Sequence, residues 1–157
     1  MRSKNLSGTI ELNDWIDYIP DDTFCECTTI HSIIMHRYPK WIGDNAFYKA
    51  INLEHIYIKK ENGSLDEDWT MELQSIGDYA FYNTALLGSL QFSDTIETIG
   101  KFAFYNCIYL TDVNLLFANK LSSIQESTFS NCKLMTEISL PNSVKPNCDT
   151  VTLINTS

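Results

Sequence analysis

The sequence predicts an α/β solenoid, with short helical turns on one side of the chain and the strands of a parallel sheet on the other. An apolar pattern that recurs about every 23 residues is the first observation behind this prediction. Regular alternation of apolar and polar residues within each unit is the second. Units of this length are typical of solenoids, in which each unit buries its apolar face against its neighbours.

The repeat is clearest in one column of phenylalanines. An isoleucine precedes each of them by five residues, and the intervals between these isoleucines are 23, 34, 23 and 25 residues. The column consists of Phe24, Phe47, Phe81, Phe104 and Phe129. When each isoleucine is counted as position zero, positions five, eleven, fourteen and sixteen are apolar in every copy, with Leu87 at position eleven of the third. These columns are therefore predicted to point into the core.

The same register gives the organisation of the chain. A length of 157 residues fits one domain. The predicted units are an N-terminal half repeat or cap at 1–18, repeats at 19–41, 42–75 (with an insert), 76–98, 99–123 and 124–146, and a C-terminal tail at 147–157.

Each unit predicts one strand and one helical segment. Residues 53–58 alternate apolar and polar side chains, which is typical of a half-buried strand. Residues 99–107 space their apolar side chains four and five apart, which favours one or two turns of helix. Strands of successive units are expected to lie parallel and to form one continuous sheet. Cys27, Cys107 and Cys132 fall in a column of small residues and are predicted to be buried as small hydrophobic side chains, with metal or redox chemistry as the alternative.

Composition argues against several functions. The net charge of −9 disfavours nucleic acid and anionic membrane as partners, because both require a basic surface. No apolar run approaches the ~20 residues of a membrane-spanning helix, so membrane insertion is not expected. Residues 1–10 lack the pattern of a signal peptide, which favours a cytoplasmic location. No catalytic motif is present, so the sequence predicts no enzyme, no catalytic residue and no cofactor.

Two segments carry a family resemblance. Ile-Gly-Asp-Tyr-Ala-Phe-Tyr-Asn at 76–83 and Ile-Gly-Lys-Phe-Ala-Phe-Tyr-Asn-Cys at 99–107 resemble the BspA-like leucine-rich repeats, as does 134–144. The resemblance covers about residues 19–144 and implies a right-handed solenoid with its parallel sheet on the concave side. It further implies a location at the cell surface and a role in adhesion, since many proteins of this kind are surface proteins of bacteria and parasitic protists.

The outward strand positions give the first candidate site. Solenoids bind ligands on the concave sheet, where this sequence brings Ile34, His36, His55 and Tyr57 together. Aromatic side chains with adaptable polar neighbours are typical of interface hot spots. A solvated sheet face with scattered apolar residues is the alternative. No metal site is predicted, because the two histidines lie four positions apart on adjacent strands, roughly 13 Å at 3.3 Å per residue.

Gln91 and Asn114 continue this candidate face in later repeats. The insert gives a second candidate site, with Asp66, Asp68 and Trp69 after a turn at Asn62-Gly63. Its alternative is a tolerated insertion whose tryptophan folds back over the edge of the sheet.

Together these features predict a non-catalytic module that binds a protein ligand on its concave face. A structural spacer or a fragment of a larger surface protein is the alternative. A monomer or a weak end-to-end dimer is expected.

Overall fold

Strands and turns alone make up the described part of the chain. The computed structural model describes residues 6–144, so residues 1–5 of the predicted cap, 145–146 of the last predicted repeat and the predicted tail at 147–157 lie outside the described residues. The strands are β1 (Gly8–Glu11), β2 (Tyr18–Ile19), β3 (Ile30–Met35), β4 (Trp41–Ile42), β5 (His55–Lys59), β6 (Leu65–Asp66), β7 (Ser75–Ile76), β8 (Gly88–Gln91), β9 (Thr98–Ile99), β10 (Leu110–Asn114) and β11 (Glu137–Ser139).

The strands form three sheets along a β-solenoid. The N-terminal sheet has the order β1-β3-β5-β6, and the C-terminal sheet has the order β8-β10-β11. A short-strand sheet, β2-β4-β7-β9, runs along another side of the solenoid. Every strand pair that joins successive repeats is parallel. The predicted parallel sheet is therefore present.

The prediction of one continuous sheet is wrong, because the insert interrupts it. After β5 the chain reverses and β6 pairs antiparallel with it, Ile58 opposite Asp66 and Lys59 opposite Leu65. The short strand β6 thus takes an edge position of the N-terminal sheet, and β5 and β8 do not pair. One backbone hydrogen bond, from the Leu87 amide to the Glu54 carbonyl at 3.1 Å, links the residues that precede these two strands.

The predicted helical turns are also wrong: residues 6–144 contain no helix. Positions three and seven of all five repeats have φ values from 51° to 63°, the left-handed region. An α-helix needs right-handed φ at every residue, so these positions produce successive tight turns instead. In these turns every second amide donates to the next repeat, as from Phe24 to Ala46 and from Phe47 to Ala80, both at 2.7 Å. A hydrogen-bonded ladder between repeats thus replaces the internal bonds of a helix.

The phenylalanine column forms the centre of the core, as the sequence predicts. The five rings stack along the solenoid with centroid separations of 5.0–5.5 Å and interplanar angles of 5–13°. Cys27, Cys107 and Cys132 are buried beside this stack. Burial raises the pKa of the Cys107 thiol to about 12 and also raises the pKa of Cys132. Both thiols are therefore uncharged at neutral pH and pack as hydrophobic side chains.

One core prediction fails next to the break in the sheet. Leu87 is 44% exposed, while Leu86 is 2% exposed and lies in the interior. Gly88 follows with a φ of +80°, a conformation open mainly to glycine, and the pairing register of β8 with β10 shifts at this point. The chain therefore enters β8 with a one-residue shift of register, as it also does at Gly8, where β1 pairs with β3.

Candidate functional site

The strand face is the outward surface of the N-terminal sheet, and its centre is a small aromatic and apolar cluster. His55 and Tyr57 lie on the same side of β5, and their rings stack at 5.2 Å with an interplanar angle of 19°. Ile34 of β3 pairs in register with Tyr57, so its side chain lies beside the phenol ring. All three side chains are partly exposed. Three of the four residues predicted to cluster are thus brought together.

His36, the fourth residue, belongs to a charged network at the end of the same face. Its Nε2 lies 2.9 Å from Glu11 Oε1, and its Nδ1 lies 3.3 Å from Asp14 Oδ1. Lys59 Nζ donates to the same Glu11 oxygen at 2.7 Å. Hydrogen bonds from Lys59 and His36 lower the pKa of Glu11. This network holds the ends of β1, β3 and β5 in fixed relative positions and gives the aromatic cluster a charged rim.

Gln91 and Asn114 lie on the C-terminal sheet, beyond the break. They are register partners in β8 and β10, and Asn114 pairs in turn with Ser139 of β11. Asn114 Oδ1 also accepts a hydrogen bond from the Leu116 amide at 3.0 Å. These strands form the floor of a shallow depression of about 280 Å³, which is lined mainly by polar and acidic side chains. The two predicted residues therefore belong to a polar surface separate from the aromatic cluster.

The insert forms a β-hairpin tied down by Asp66. The Gly63 amide donates to the Lys60 carbonyl at 2.8 Å, and Asn62 Oδ1 accepts from the Ser64 amide at 3.0 Å, which places the turn where the sequence predicts it. The Asp66 carboxylate accepts from Lys60 Nζ at 2.9 Å and from the Tyr38 hydroxyl at 3.0 Å. The bond from Lys60 is the main cause of a lowered Asp66 pKa.

Trp69 and Asp68 differ in accessibility. Trp69 is 4% exposed, and its ring packs against Phe81 at 5.4 Å, so its side chain is part of the core. Asp68 is exposed and lies at the margin of a cleft between the two sheets. Of the three insert residues proposed as a site, Asp68 is thus the one with an accessible side chain beside a cavity.

This inter-sheet cleft separates β5 from β8 and has a volume of about 230 Å³. Ile56, Trp69, Leu86 and Leu90 form a small apolar floor, while polar atoms make up the larger part of the accessible lining. Glu54 and Glu67 join Asp68 among its lining residues. Sequence reasoning missed this cleft, although two signals were present: an insert directly after a strand, and Gly88 at a strand position, where glycine is typical of a bulge.

Among residues 6–144, no group of three or more His, Cys, Asp or Glu side chains is arranged to hold a metal ion. The same stretch has no helix long and apolar enough to cross a membrane.

Parallel strands, repeating turns and a stacked phenylalanine core define a leucine-rich repeat solenoid of about six turns. The chain belongs to the BspA type leucine rich repeat family, whose pattern it matches in six copies over residues 2–71 and 67–151.

Solved structures agree on the fold. The leucine-rich repeat protein TpLRR of T. pallidum is 20% identical, with a TM-score of 0.59, and the match covers 85% of this chain and 70% of that one. A leucine-rich repeat protein from Bacteroides ovatus is 22% identical with a TM-score of 0.56, and the match covers 87% of this chain but 38% of that one. No curated protein matches the sequence.

Proposed function

We propose that this protein is a non-catalytic module that binds a protein ligand on its strand face, the surface expected to be concave. The observation that carries the proposal is the partly exposed His55–Tyr57 stack, with Ile34 in register beside Tyr57. Leucine-rich repeat proteins commonly bind other proteins, which supports this class of function. Adhesion is the finer role that we propose for this binding.

The composition of the face suits a standard interface. Tyrosine supplies a large rigid contact area with few rotatable bonds, and its hydroxyl can bond to a partner. His36 lies in the charged rim around the aromatic cluster, where polar contacts align a partner and add modest binding energy. Gln91 and Asn114 offer additional polar contacts on the separate C-terminal sheet. A net charge of −9 favours neutral or basic partners and predicts binding that weakens as salt increases.

The test compares the wild-type protein with a His55→Ala, Tyr57→Ala double variant against a panel of purified matrix proteins and glycans. Biolayer interferometry gives the affinities, and circular dichroism checks that the variants are folded. Removing two hot-spot side chains should weaken binding of a protein ligand by at least about tenfold.

Tyr18→Ala is the matched control. Tyr18 is 47% exposed and lies on the short-strand sheet, away from the strand face. It should leave the affinity unchanged. If the folded double variant binds as well as wild type, the strand-face proposal fails and the insert becomes the candidate site. If no panel protein binds at all, the strand-face proposal fails and the spacer alternative replaces it.

A further inference from the structure

We propose that the inter-sheet cleft receives one arginine side chain from a protein ligand bound on the strand face. This inference rests on the proposed function and specifies the chemistry of its partner. Three features of the cleft support it: its small apolar floor, its acidic rim and its position where the strand ladder is broken.

The interior of the cleft suits the aliphatic stem of a long basic side chain. Ile56, Leu90 and Trp69 are each 4% exposed and line the cleft from β5, β8 and the insert. The volume of about 230 Å³ is of the size of one large side chain. Arginine places its methylene groups against apolar surface while its guanidinium stays near water, so a small apolar floor within a largely polar lining fits its two parts.

The rim carries negative charge that no neighbouring cation balances. Among residues 6–144, Glu54, Glu67 and Asp68 form no ion pair within 4.0 Å. The nearby lysines pair with other carboxylates, Lys59 with Glu11 at 2.7 Å and Lys60 with Asp66 at 2.9 Å. Incoming positive charge is therefore favoured at this point of the strand face.

The raised pKa of Tyr57 is consistent with negative charge at the rim of the cleft. Burial raises its pKa, and the negative charges of Glu67 and Glu54 raise it further. These carboxylates thus act on the aromatic cluster where the proposed partner makes its main contacts. The cleft and the cluster are two parts of one binding surface.

A guanidinium fits this environment better than a metal ion or a compact ammonium. Its five N–H donors can reach carboxylates and backbone carbonyls together. Strand β6 pairs with β5 at Ile58 and Lys59, and β8 is an edge strand of the other sheet, so backbone acceptors are available at the remaining positions of the two facing edges.

The probe is N-acetyl-arginine-methylamide, titrated into the ¹⁵N-labelled full chain and followed by two-dimensional NMR. The uncharged isostere N-acetyl-citrulline-methylamide is the ligand control. We expect the arginine derivative to shift the amide resonances of Glu54, Leu87 and Gly88 saturably, and the citrulline derivative to leave them in place.

Variants separate the cleft from general attraction to an acidic protein. Glu67→Gln should raise the dissociation constant roughly fivefold, as expected for loss of one partly exposed charge interaction. Glu97→Gln makes the same change at an exposed carboxylate near Lys120 and should have no effect. Equal binding of citrulline, equal weakening by both variants, or the absence of saturable shifts would overturn the proposal.

The two proposals fail in distinguishable ways. If the His55, Tyr57 double variant loses partner binding and the arginine derivative does not bind the cleft, the strand-face site stands and the arginine proposal is rejected. Saturable arginine binding without any effect of the double variant on partner binding keeps the cleft as a cation-binding site and rejects the strand-face site.

Discussion

Replacing Phe104 with alanine tests whether the phenylalanine stack stabilises the solenoid as a unit. Phe104 has no exposed surface and lies between the rings of Phe81 and Phe129, at 5.0 and 5.5 Å. Burial of such a side chain contributes about 1.5–3 kcal/mol, and the cavity left behind brings a typical Phe→Ala loss to about 3–5 kcal/mol. Hydrogen bonds between the turns keep the flanking repeats at a fixed spacing, so the cavity cannot close. We therefore expect Phe104→Ala to lower the free energy of unfolding by about 4–5 kcal/mol.

Phe24 provides the internal comparison. It is 3% exposed and stacks on one ring of the column, that of Phe47, at 5.2 Å. Each stacked pair contributes about 0.5–1.5 kcal/mol, and Phe24→Ala removes one pair where Phe104→Ala removes two. Phe24→Ala should therefore lower the free energy of unfolding by a smaller amount, about 3 kcal/mol. Phe117 is 60% exposed, and its replacement should change stability by less than about 0.5 kcal/mol.

The assay is urea unfolding followed by far-ultraviolet circular dichroism, with all variants at one protein concentration. Domains of this size are commonly stable by about 5–15 kcal/mol, so Phe104→Ala should remove a large part of the total. The reasoning is refuted if Phe104→Ala destabilises no more than Phe24→Ala, or if its effect lies within about 1 kcal/mol of the Phe117 control.

Three further predictions concern a glycine, an aspartate and a tyrosine. A Cβ at Gly77 would lie 2.5 Å from a backbone nitrogen of the preceding repeat, so Gly77→Ala should lower the free energy of unfolding by about 1–3 kcal/mol, and an unchanged urea midpoint would contradict the close approach. The pKa of Asp66 is lowered in the folded chain, chiefly by Lys60, so its stabilising effect is present above its unfolded pKa and is lost as pH falls through the folded value. Asp66→Asn should therefore destabilise the hairpin at pH 7, and the difference from wild type should shrink as the pH falls through the lowered pKa of Asp66, as amide exchange can measure. Glu67→Gln should lower the raised pKa of Tyr57 without restoring its ordinary value, because burial is the larger cause, and a ¹³C titration of the ring that shows no change would contradict this.

The core was predictable from the sequence because its periodicity is nearly complete. Each repeat contributes one phenylalanine that stacks on the phenylalanine of the next repeat. The five phenylalanines therefore show in the sequence how the repeats align with one another. The aromatic part of the strand face followed from the same register, since alternation along a strand fixes which side chains point outward.

The turns were mistaken for helix because apolar spacing alone cannot distinguish the two. Spacings of four and five residues fit a helical face, yet the backbone turns sharply at positions three and seven of each repeat. Asn and Asp occupy several of these positions, including Asn45, Asn83, Asn106 and Asn131. These residue types tolerate the left-handed region better than most others, so their recurrence was the signal that argues against a helix.

The cleft could not be predicted, because it depends on where an insert goes in three dimensions. The sequence shows the extra residues after Ile58 but not that they return antiparallel along β5 and keep β8 away. The change of register at Leu87 has a counterpart at Gly8, since β1 and β8 each begin a sheet and have no preceding strand partner in it.

The interrupted sheet also has a mechanical consequence. On the turn side, alternate amides continue to bond across the second and third repeats, from Asn45 to Asp78 at 2.9 Å and from Phe47 to Ala80 at 2.7 Å. On the strand side of the same joint, a backbone bond from Leu87 to Glu54 is joined by two side-chain bonds, from the Thr70 hydroxyl to the Gln91 carbonyl and from the Ser93 hydroxyl to the Met71 carbonyl. The two sides of this joint are thus bonded differently, and we expect the solenoid to bend here more readily than at its other joints. Such bending would change the width of the cleft, so a side chain bound there would influence the curvature of the binding surface.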